Sequence, residues 1–465
     1  MSYGELWRLV GQAAGALAGL GIGRGEVVAL LLPDSPLAAA AFLGALRLGA
    51  LPLPLNTRLA PADYAYILRD CRARLLVAED ARGIEHEHRM DAATFESLVH
   101  RASPLHASVP AEDGDPAFWL YSSGTTGRPK GILHSHRNCA QAGKFLREVI
   151  GADADTVVFC TSKMFFAYGL DNALLGPLSI GARTLQFSSW PDAEHLVEAV
   201  ARHRPGCLLT MPTMFRRMLQ LGRERLQPLR AVRYFYTGGE RLPDSLAQQW
   251  HEAVGVELLV SYGMSETFCN ATANFRGLSR GAGSIGLPLD GVACKVLDAE
   301  GRPLARGEPG LLWLRHPSLA LRYSDPEATA RAFRDGWIST GDICTIDEEG
   351  FIYHQGRSDE LLRVAGQWVK PAEVVETVLA DPRVRDAVCV VVPDTDGFER
   401  LALFVVPAVP GEAARAAQER CQDALPRFSQ PKWIREVEEF PKTATGKVQR
   451  YKLREALLGE SRPGH

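Results

Sequence analysis

Between Tyr121 and Gly131 the sequence reads YSSGTTGRPKG, with three glycines, four Ser/Thr hydroxyls and two cations in eleven residues. Glycines let backbone N–H groups converge on phosphate oxygens, hydroxyls add donors, and cations balance the charge. The chemistry is phosphate binding, although a flexible loop is the plain alternative. It is not the nucleoside triphosphatase P-loop: GxxxxGK[ST] ending at Lys130 needs Gly at 129 and Ser or Thr at 131, where the chain has Pro129 and Gly131. A second segment, SYGMSET (261–267), follows the apolar run VELLV and so sits at a strand's C-terminal end, where open α/β sheets place ligands. There Tyr262 could stack on a base, and Glu266 is a hard oxygen ligand suited to Mg²⁺ beside phosphates. Asp342, after a Gly turn in WISTGD, can accept two ribose hydroxyls. Arg357 in GRSDE offers a planar fork for oxygen acceptors, and Asp359 lies where a hinge should be. In PKTATGKVQR, Lys447 follows Thr-Gly and can swing a compact charge into a distant site. Each of these last segments, taken alone, is also an ordinary turn or a solvated side chain.

Two glycine patterns carry no such chemistry. Gly281 to Gly286 fits GxGxxG, but a strand follows it rather than precedes it, and no helix opens at its end. Gly21, Gly23 and Gly25 lie between a helix and a strand and read as a helix C-cap and turn. The net charge of −3 argues against a nucleic-acid binder that works by bulk charge. No apolar run is long enough to span a bilayer, and MSYGELWRLVGQ lacks the pattern of a signal peptide. The nine scattered cysteines include no CxxC pair and read as reduced, mostly buried thiols of a cytoplasmic protein. They give no support to a zinc site. His86 and His88 read as part of a solvated loop.

These segments need a scaffold. Residues 5–20 have helical spacing, VVALLLPD reads as a buried strand, PLAAAAFLGALRLGA as a helix ending at Gly49, and LPLPLN as the next strand. This β-α-β alternation predicts a parallel sheet covered by helices, and it returns near 157–160, 171–180, 183–187, 194–203, 207–210 and 233–236. At about 281–356 short strands between Gly, Asp and Pro turns suggest a β-rich subdomain. After Gly356 a helix at 371–380, strands at 386–392 and 401–407, and a helix near 411–424 suggest a separate α+β domain. The expected fold is therefore α/β. A large domain (1–356) combines parallel-sheet subdomains with the β-rich one, and a small mobile α+β lid (357–465) hinges at Asp359. Lys442, Lys447, Arg450, Lys452 and Arg454 form a local cluster that suits an anion, or else a solvated basic face.

In this order and spacing the motifs resemble the adenylate-forming superfamily of acyl- and aryl-CoA synthetases, peptide-synthetase adenylation domains and luciferases. The likeness covers nearly the whole chain. Within that superfamily, KMFFAYGL (163–170) and the tail PKTATGKVQRYKLRE are similar to benzoate-CoA ligases and related aryl-CoA ligases. The resemblance implies that Ser122, Ser123, Gly124, Thr125, Thr126, Gly127 and Lys130 hold the β- and γ-phosphates of ATP. Gly239, Glu240, Arg241 and Tyr262 would frame adenine, and Asp342 and Arg357 would bind the ribose. Thr267 and Glu266 would serve the α-phosphate and Mg²⁺, and Lys447 the carboxylate and α-phosphate oxygens. Lys163, Phe166, Ala167, Tyr168, Gly169, Gly238, Gly263, Phe268 and Cys269 would form the acid pocket. Val364, Ala365, Gly366, Gln367 and Trp368 would line the thiol's tunnel. There are departures. Phe166 stands where many acyl-CoA synthetases have His, and Arg363 where relatives often have Lys. Cys269 stands where the benzoate enzymes place His. The chain opens at SYGEL where relatives carry a further upstream segment, which bears on local stability or a dimer surface.

The implied reaction has two steps: an aryl acid attacks the α-phosphorus of ATP to give an acyl-adenylate and pyrophosphate, and a thiol then takes the acyl group. The implied cofactors are ATP, Mg²⁺ and coenzyme A. Small or flat residues at Ala167, Gly238, Gly239 and Gly263 with aromatic Tyr168 and Phe268 suggest a slot for a planar ring, benzoate or a substituted benzoate. Two alternatives stay open: transfer to the phosphopantetheine of a separate carrier protein, and a non-catalytic acyl- or nucleotide-binding protein. A homodimer is also left open; no nucleic-acid polymer or membrane partner is expected.

Overall fold

The computed structural model describes residues 1–80, 83–123, 128–281, 283–358, 362–364, 367–369, 371–394, 398–441 and 448–460. The chain divides into two compact units. The first takes Met1–Lys295, Trp313–Thr340 and Asp347–Tyr353; the second takes Val296–Leu312, Gly341–Ile346 and His354–His465. The class is mixed α/β, with large N-terminal and small C-terminal parts.

The first unit opens with a four-stranded parallel sheet in the order Leu51–Pro54, Val27–Leu31, Ala73–Ala78, Arg89–Asp91. One face packs Leu30 and Val77 against the helices Tyr3–Gly19 and Pro36–Arg47, and the other packs Leu53 and Leu76 against Pro61–Asp70. The two alanine-rich helices cross closely at Gly44, where a Cβ would sit 2.9 Å from the Ala14 nitrogen.

The second sheet carries the site. Its parallel strands run in the order Arg183–Leu185, Val157–Cys160, Cys207–Thr210, Tyr234–Thr237, Leu258–Tyr262. Thr272–Ala273 and Ser284–Pro288 then continue it antiparallel. Side chains alternate between faces as strand geometry demands. Leu208 and Phe235 enter the core under the helices Ala193–His203, Pro212–Leu219 and Asp244–Val254, while Leu209 and Tyr236 enter the core on the opposite face.

Two features depart from the expected pattern. The phosphate-loop segment joins an antiparallel hairpin, Pro116–Ser123 with Pro129–Ser135, edged by Arg322–Tyr323, so this part of the unit is not parallel. The helix expected at 171–180 begins at Ala167 and loosens to a π-helix over Leu170–Leu175. Pro177 has no N–H to give to the Ala173 carbonyl four residues back. That carbonyl accepts instead from the Thr184 hydroxyl (2.8 Å) and the Gln186 amide.

In the second unit Val384–Pro393 pairs antiparallel with Glu399–Pro407, which pairs parallel with Trp433–Glu436. Pro371–Leu379 and Ala413–Ala424 cover one face through Val374, Val378, Ala416 and Cys421. Arg450–Glu460 covers the other through Leu453 and Leu457. All nine cysteines are free thiols and seven are buried. Among the described residues no helix is long and apolar enough to cross a membrane.

The close pairing of Thr272–Ala273 with Ser284–Pro288 depends on Gly286, inside the latter strand at φ +84°, whose added Cβ would fall 2.0 Å from the Ala273 carbonyl. Gly286→Ala is therefore expected to destabilise the protein by roughly 2–3 kcal/mol or more, from backbone strain and overpacking together. Thermal unfolding measures this; an unchanged midpoint would refute the close approach.

Candidate active site

The hairpin places Ser122 directly opposite Lys130 and Ser123 opposite Pro129, so both ends of the phosphate-loop motif are held by strand pairing. Gly124, Thr125, Thr126 and Gly127 lie outside the described residues. Gly131 faces Tyr121, and a Cβ there would stand 2.7 Å from the Tyr121 ring. The phenol is held by Asp70 (2.5 Å).

Lys130 reaches the loop after Leu258–Tyr262. Its ammonium lies 3.1 Å from Oε1 of Glu266, and the Tyr323 hydroxyl donates to the same oxygen at 2.7 Å. Glu266 is 6% exposed, so this carboxylate is one of the few buried charges in the first unit. No hydrogen bond reaches its Oε2 among the described residues. Tyr323 is a residue that sequence reasoning missed, since its pairing partner could not be known from the sequence.

The strands Tyr234–Thr237 and Leu258–Tyr262 are parallel, so Gly238–Arg241 and Gly263–Thr267 leave the same edge of the sheet. A Cβ on Gly238 would meet the Ser261 carbonyl at 2.9 Å and the Tyr168 ring at 3.7 Å. One on Gly263 would meet the Cys269 carbonyl at 3.1 Å. Tyr168, Gly238, Ser261, Gly263 and Cys269 are thus brought together, with Ala167 buried beside Tyr168 in the chain. Gly239 (φ +78°) turns against Met211. Glu240, Arg241 and Tyr262 sit on these same two loops. Phe268 adopts φ +61°, rare for an aromatic residue, and packs edge-on to Phe118 at 5.1 Å.

That conformation is braced from beneath. The Ser318 hydroxyl donates to the Thr267 carbonyl (2.6 Å), Asn138 donates to the Ser318 carbonyl (2.6 Å), and His316 bonds the Asn270 carbonyl (3.2 Å). Thr267, expected at the α-phosphate, is fully buried; its hydroxyl is engaged with Met264 and Cys269 inside the turn. The Cys269 thiol is buried beside Asp171 and Ser318, and burial pushes it well above the usual thiol range. Asp171, which accepts the Gly143 N–H at 3.1 Å, is pushed up to about 7 by the same burial. Among the described residues the buried Thr237 hydroxyl has no hydrogen-bond partner, and the buried hydroxyls of Tyr168 and Ser261 lie beside each other without a well-formed bond.

Lys163 stands apart from this group. Its ammonium is committed to the Phe187, Ser188 and Ser189 carbonyls and lies 3.7 Å from Asp34. Desolvation raises Asp34 to about 6. Phe166 packs on Phe165 at 4.6 Å, and Gly169 abuts the Lys163 carbonyl, leaving no room for a side chain. Lys163 therefore anchors the 187–189 segment.

The second unit brings Asp342 and Arg357 together. Oδ1 of Asp342 lies 3.1 Å from Nη1 of Arg357 and 3.3 Å from Nε2 of His354. His354 had no motif to mark it. Gly341 (φ +74°) is required here, since a Cβ would stand 2.7 Å from the guanidinium. Val364 and Trp368 lie on the paired strands Leu362–Val364 and Gln367–Val369. Ala365, Gly366, Asp359 and Lys447 lie outside the described residues.

Among the described residues no group of three or more His, Cys, Asp or Glu side chains could hold a metal. A single buried carboxylate with one oxygen open fits Mg²⁺, which takes one or two carboxylates and completes its shell with phosphate and water.

Residues 1–324 match the AMP-binding enzyme family, and residues 373–447 match the AMP-binding enzyme C-terminal domain. The chain belongs to the AMP-binding enzyme family. Among its relatives, the 3-hydroxybenzoate–CoA ligase of Aromatoleum sp. (strain CIB) is 37% identical over 98% of this chain and 92% of that protein. The 3-hydroxybenzoate–CoA/4-hydroxybenzoate–CoA ligase of Thauera aromatica is 37% identical over the same shares. Among solved structures, that of the anthranilate CoA ligase AuaEII in complex with anthranoyl-AMP superposes with TM-score 0.89 and 32% identity, covering 98% of this chain and 92% of that one.

The folded protein holds the Asp171 proton to about pH 7, whereas an unfolded aspartate releases it near 3.8. The stability this gives is complete below pH 4 and is lost as pH rises toward 7. Asp171→Asn cannot ionise and keeps the Gly143 acceptor. Its stability relative to wild type should rise by roughly 3 kcal/mol between pH 4 and pH 8. Urea unfolding at both pH values checks this, and a constant difference would contradict it.

Proposed function

We propose that this member of the family is an AMP-forming aryl acid–CoA ligase. It activates a benzoate carrying a polar ring substituent, then passes the acyl group to coenzyme A. The reading is carried by the convergence of Tyr168, Gly238, Ser261 and Gly263 at the strand ends that also feed Glu266. Backbone at Gly238 and Gly263 makes flat walls, and Tyr168 and Phe268 supply ring contacts. The buried Tyr168 and Ser261 hydroxyls beside Gly238 offer partners to a polar substituent, which favours a ring bearing a hydroxyl or amino group. The hydroxybenzoate– and anthranilate–CoA ligases among the relatives agree with this.

A carboxylate is a poor acyl donor because oxide would have to leave. Its oxygen attacks the α-phosphorus of ATP, the bond to the β-phosphate oxygen breaks, and pyrophosphate departs, leaving an acyl-adenylate. The thiol sulfur of coenzyme A then attacks the acyl carbon, its proton is lost, and AMP leaves. Charge develops on phosphate oxygens in the first step, so fixed cations supply the catalysis. Lys130 and the backbone of the 122–130 turn serve the β- and γ-phosphates, and Lys447 the α-phosphate and the incoming carboxylate. Glu266 would hold Mg²⁺, which would add positive charge beside the phosphates. Asp342, oriented by Arg357 and His354, accepts the ribose hydroxyls. Residues from 357 onward form a lid that turns about Asp359 between the two steps, so that Lys447 serves the first and the 364–368 hairpin the second.

Pyrophosphate release from ATP with a panel of aryl acids is the test, and hydroxy- or aminobenzoates should exceed benzoate. Silence across the whole panel would end the reading, and thioester formation only with a carrier protein would change the acceptor. Lys447→Ala should lower adenylation by about 10²–10³-fold and spare thioester formation from supplied acyl-adenylate. Asp359→Pro, which fixes φ, should do the reverse. Equal loss of both steps in both variants would exclude the two-position scheme.

A further inference from the structure

Glu266 is held by two donors of different kinds. Lys130 brings a charge at 3.1 Å; Tyr323 brings a neutral hydroxyl at 2.7 Å; both contacts fall on Oε1. The ammonium also lies 3.7 Å from the centre of the Tyr323 ring, a cation–π contact. Tyr323 itself is fixed. Its strand pairs Tyr323 with Ile132, two residues from Lys130 on the same strand face. Its N–H donates to the Thr329 hydroxyl at 3.0 Å, and its ring packs edge-on to Phe333 at 5.2 Å. Its backbone neighbour Ala320 donates to the Glu266 carbonyl at 2.8 Å.

We propose that Tyr323 is a positioning residue for the metal-binding carboxylate: its hydroxyl pins Oε1 of Glu266, turns Oε2 toward the metal, and its ring parks the Lys130 ammonium until phosphate claims it. The inference rests on the reading above, in which Glu266 carries Mg²⁺ beside ATP. A divalent cation at Oε2 repels the ammonium beside Oε1. Lys130, a third exposed on a flexible stem, can leave for a phosphate oxygen. Tyr323 adds no charge and has no reason to leave, so the carboxylate keeps its orientation through the exchange.

Calorimetric ATP binding at graded Mg²⁺ concentrations and in EDTA tests this on the intact protein. Tyr323→Phe keeps the ring and loses only the donor. The Mg²⁺ concentration for half-maximal binding should rise about tenfold, as for one hydrogen bond to a charged group, while binding in EDTA stays within about twofold. Excess Mg²⁺ should restore kcat for pyrophosphate release. In a Glu266→Gln background Tyr323→Phe should add nothing to the Mg²⁺ dependence. Equal weakening with and without Mg²⁺, or additive effects of the two changes, would overturn the assignment. Should Tyr323→Phe unfold early, Glu266→Asp, which draws the carboxylate back from the phenol, should give the same Mg²⁺-specific loss; a Mg²⁺-independent loss would overturn it. Failure of the wild type to bind ATP under any condition would overturn the nucleotide reading as well, whereas normal binding that Tyr323→Phe leaves untouched would overturn this inference alone.

Discussion

A carboxylate almost wholly removed from water needs partners, and Glu266 obtains them from two other parts of the chain. Lys130 comes from the hairpin that bears the phosphate loop, and Tyr323 from the short strand that edges it. The single ion therefore ties the hairpin to the C-terminal edge of the parallel sheet. Lys130 and Glu266, both proposed for phosphate chemistry, meet at that knot.

Around it, rigidity comes from backbone contacts. Gly238 and Gly263 let neighbouring strands and turns approach within contact distance, and Phe268 is held in a left-handed conformation by the Ser318, Asn138 and His316 bonds beneath it. Such a buried polar network is well determined when its members are paired. The Tyr168 and Ser261 hydroxyls adjoin Gly238, where the acid is proposed to bind.

The motifs were legible because their chemistry is local: glycines, hydroxyls and cations in YSSGTTGRPKG, or a carboxylate after a strand in SYGMSET, announce themselves without a fold. The β-α-β alternation was legible because apolar periodicity is local too, and the strands at 157–160 and 207–210 stand where the pattern put them. The antiparallel hairpin was hidden, since direction depends on where the chain returns after Gly127. The resemblance implies Thr267 and Lys163 as site residues; the hydrogen bonds of the Thr267 hydroxyl to the Cys269 carbonyl and of the Lys163 ammonium to the Ser189 carbonyl could not be read from the sequence. Tyr323 and His354 gained meaning only through pairing with residues 57 and 12 positions away. The π-helix at Leu170–Leu175 could have been suspected from Pro177, because proline withdraws a donor wherever it stands in a helix.

The glycine walls have an evolutionary corollary. A surface made of main chain cannot be resculpted by point substitution, because any side chain added at Gly238 collides with the Ser261 carbonyl. Under the proposed function, diversification of the acid would proceed through the side chains proposed to share the slot, such as Tyr168 and Phe268. A lineage exchanging one aromatic acid for another would record its history at those positions while the nucleotide chemistry stayed silent.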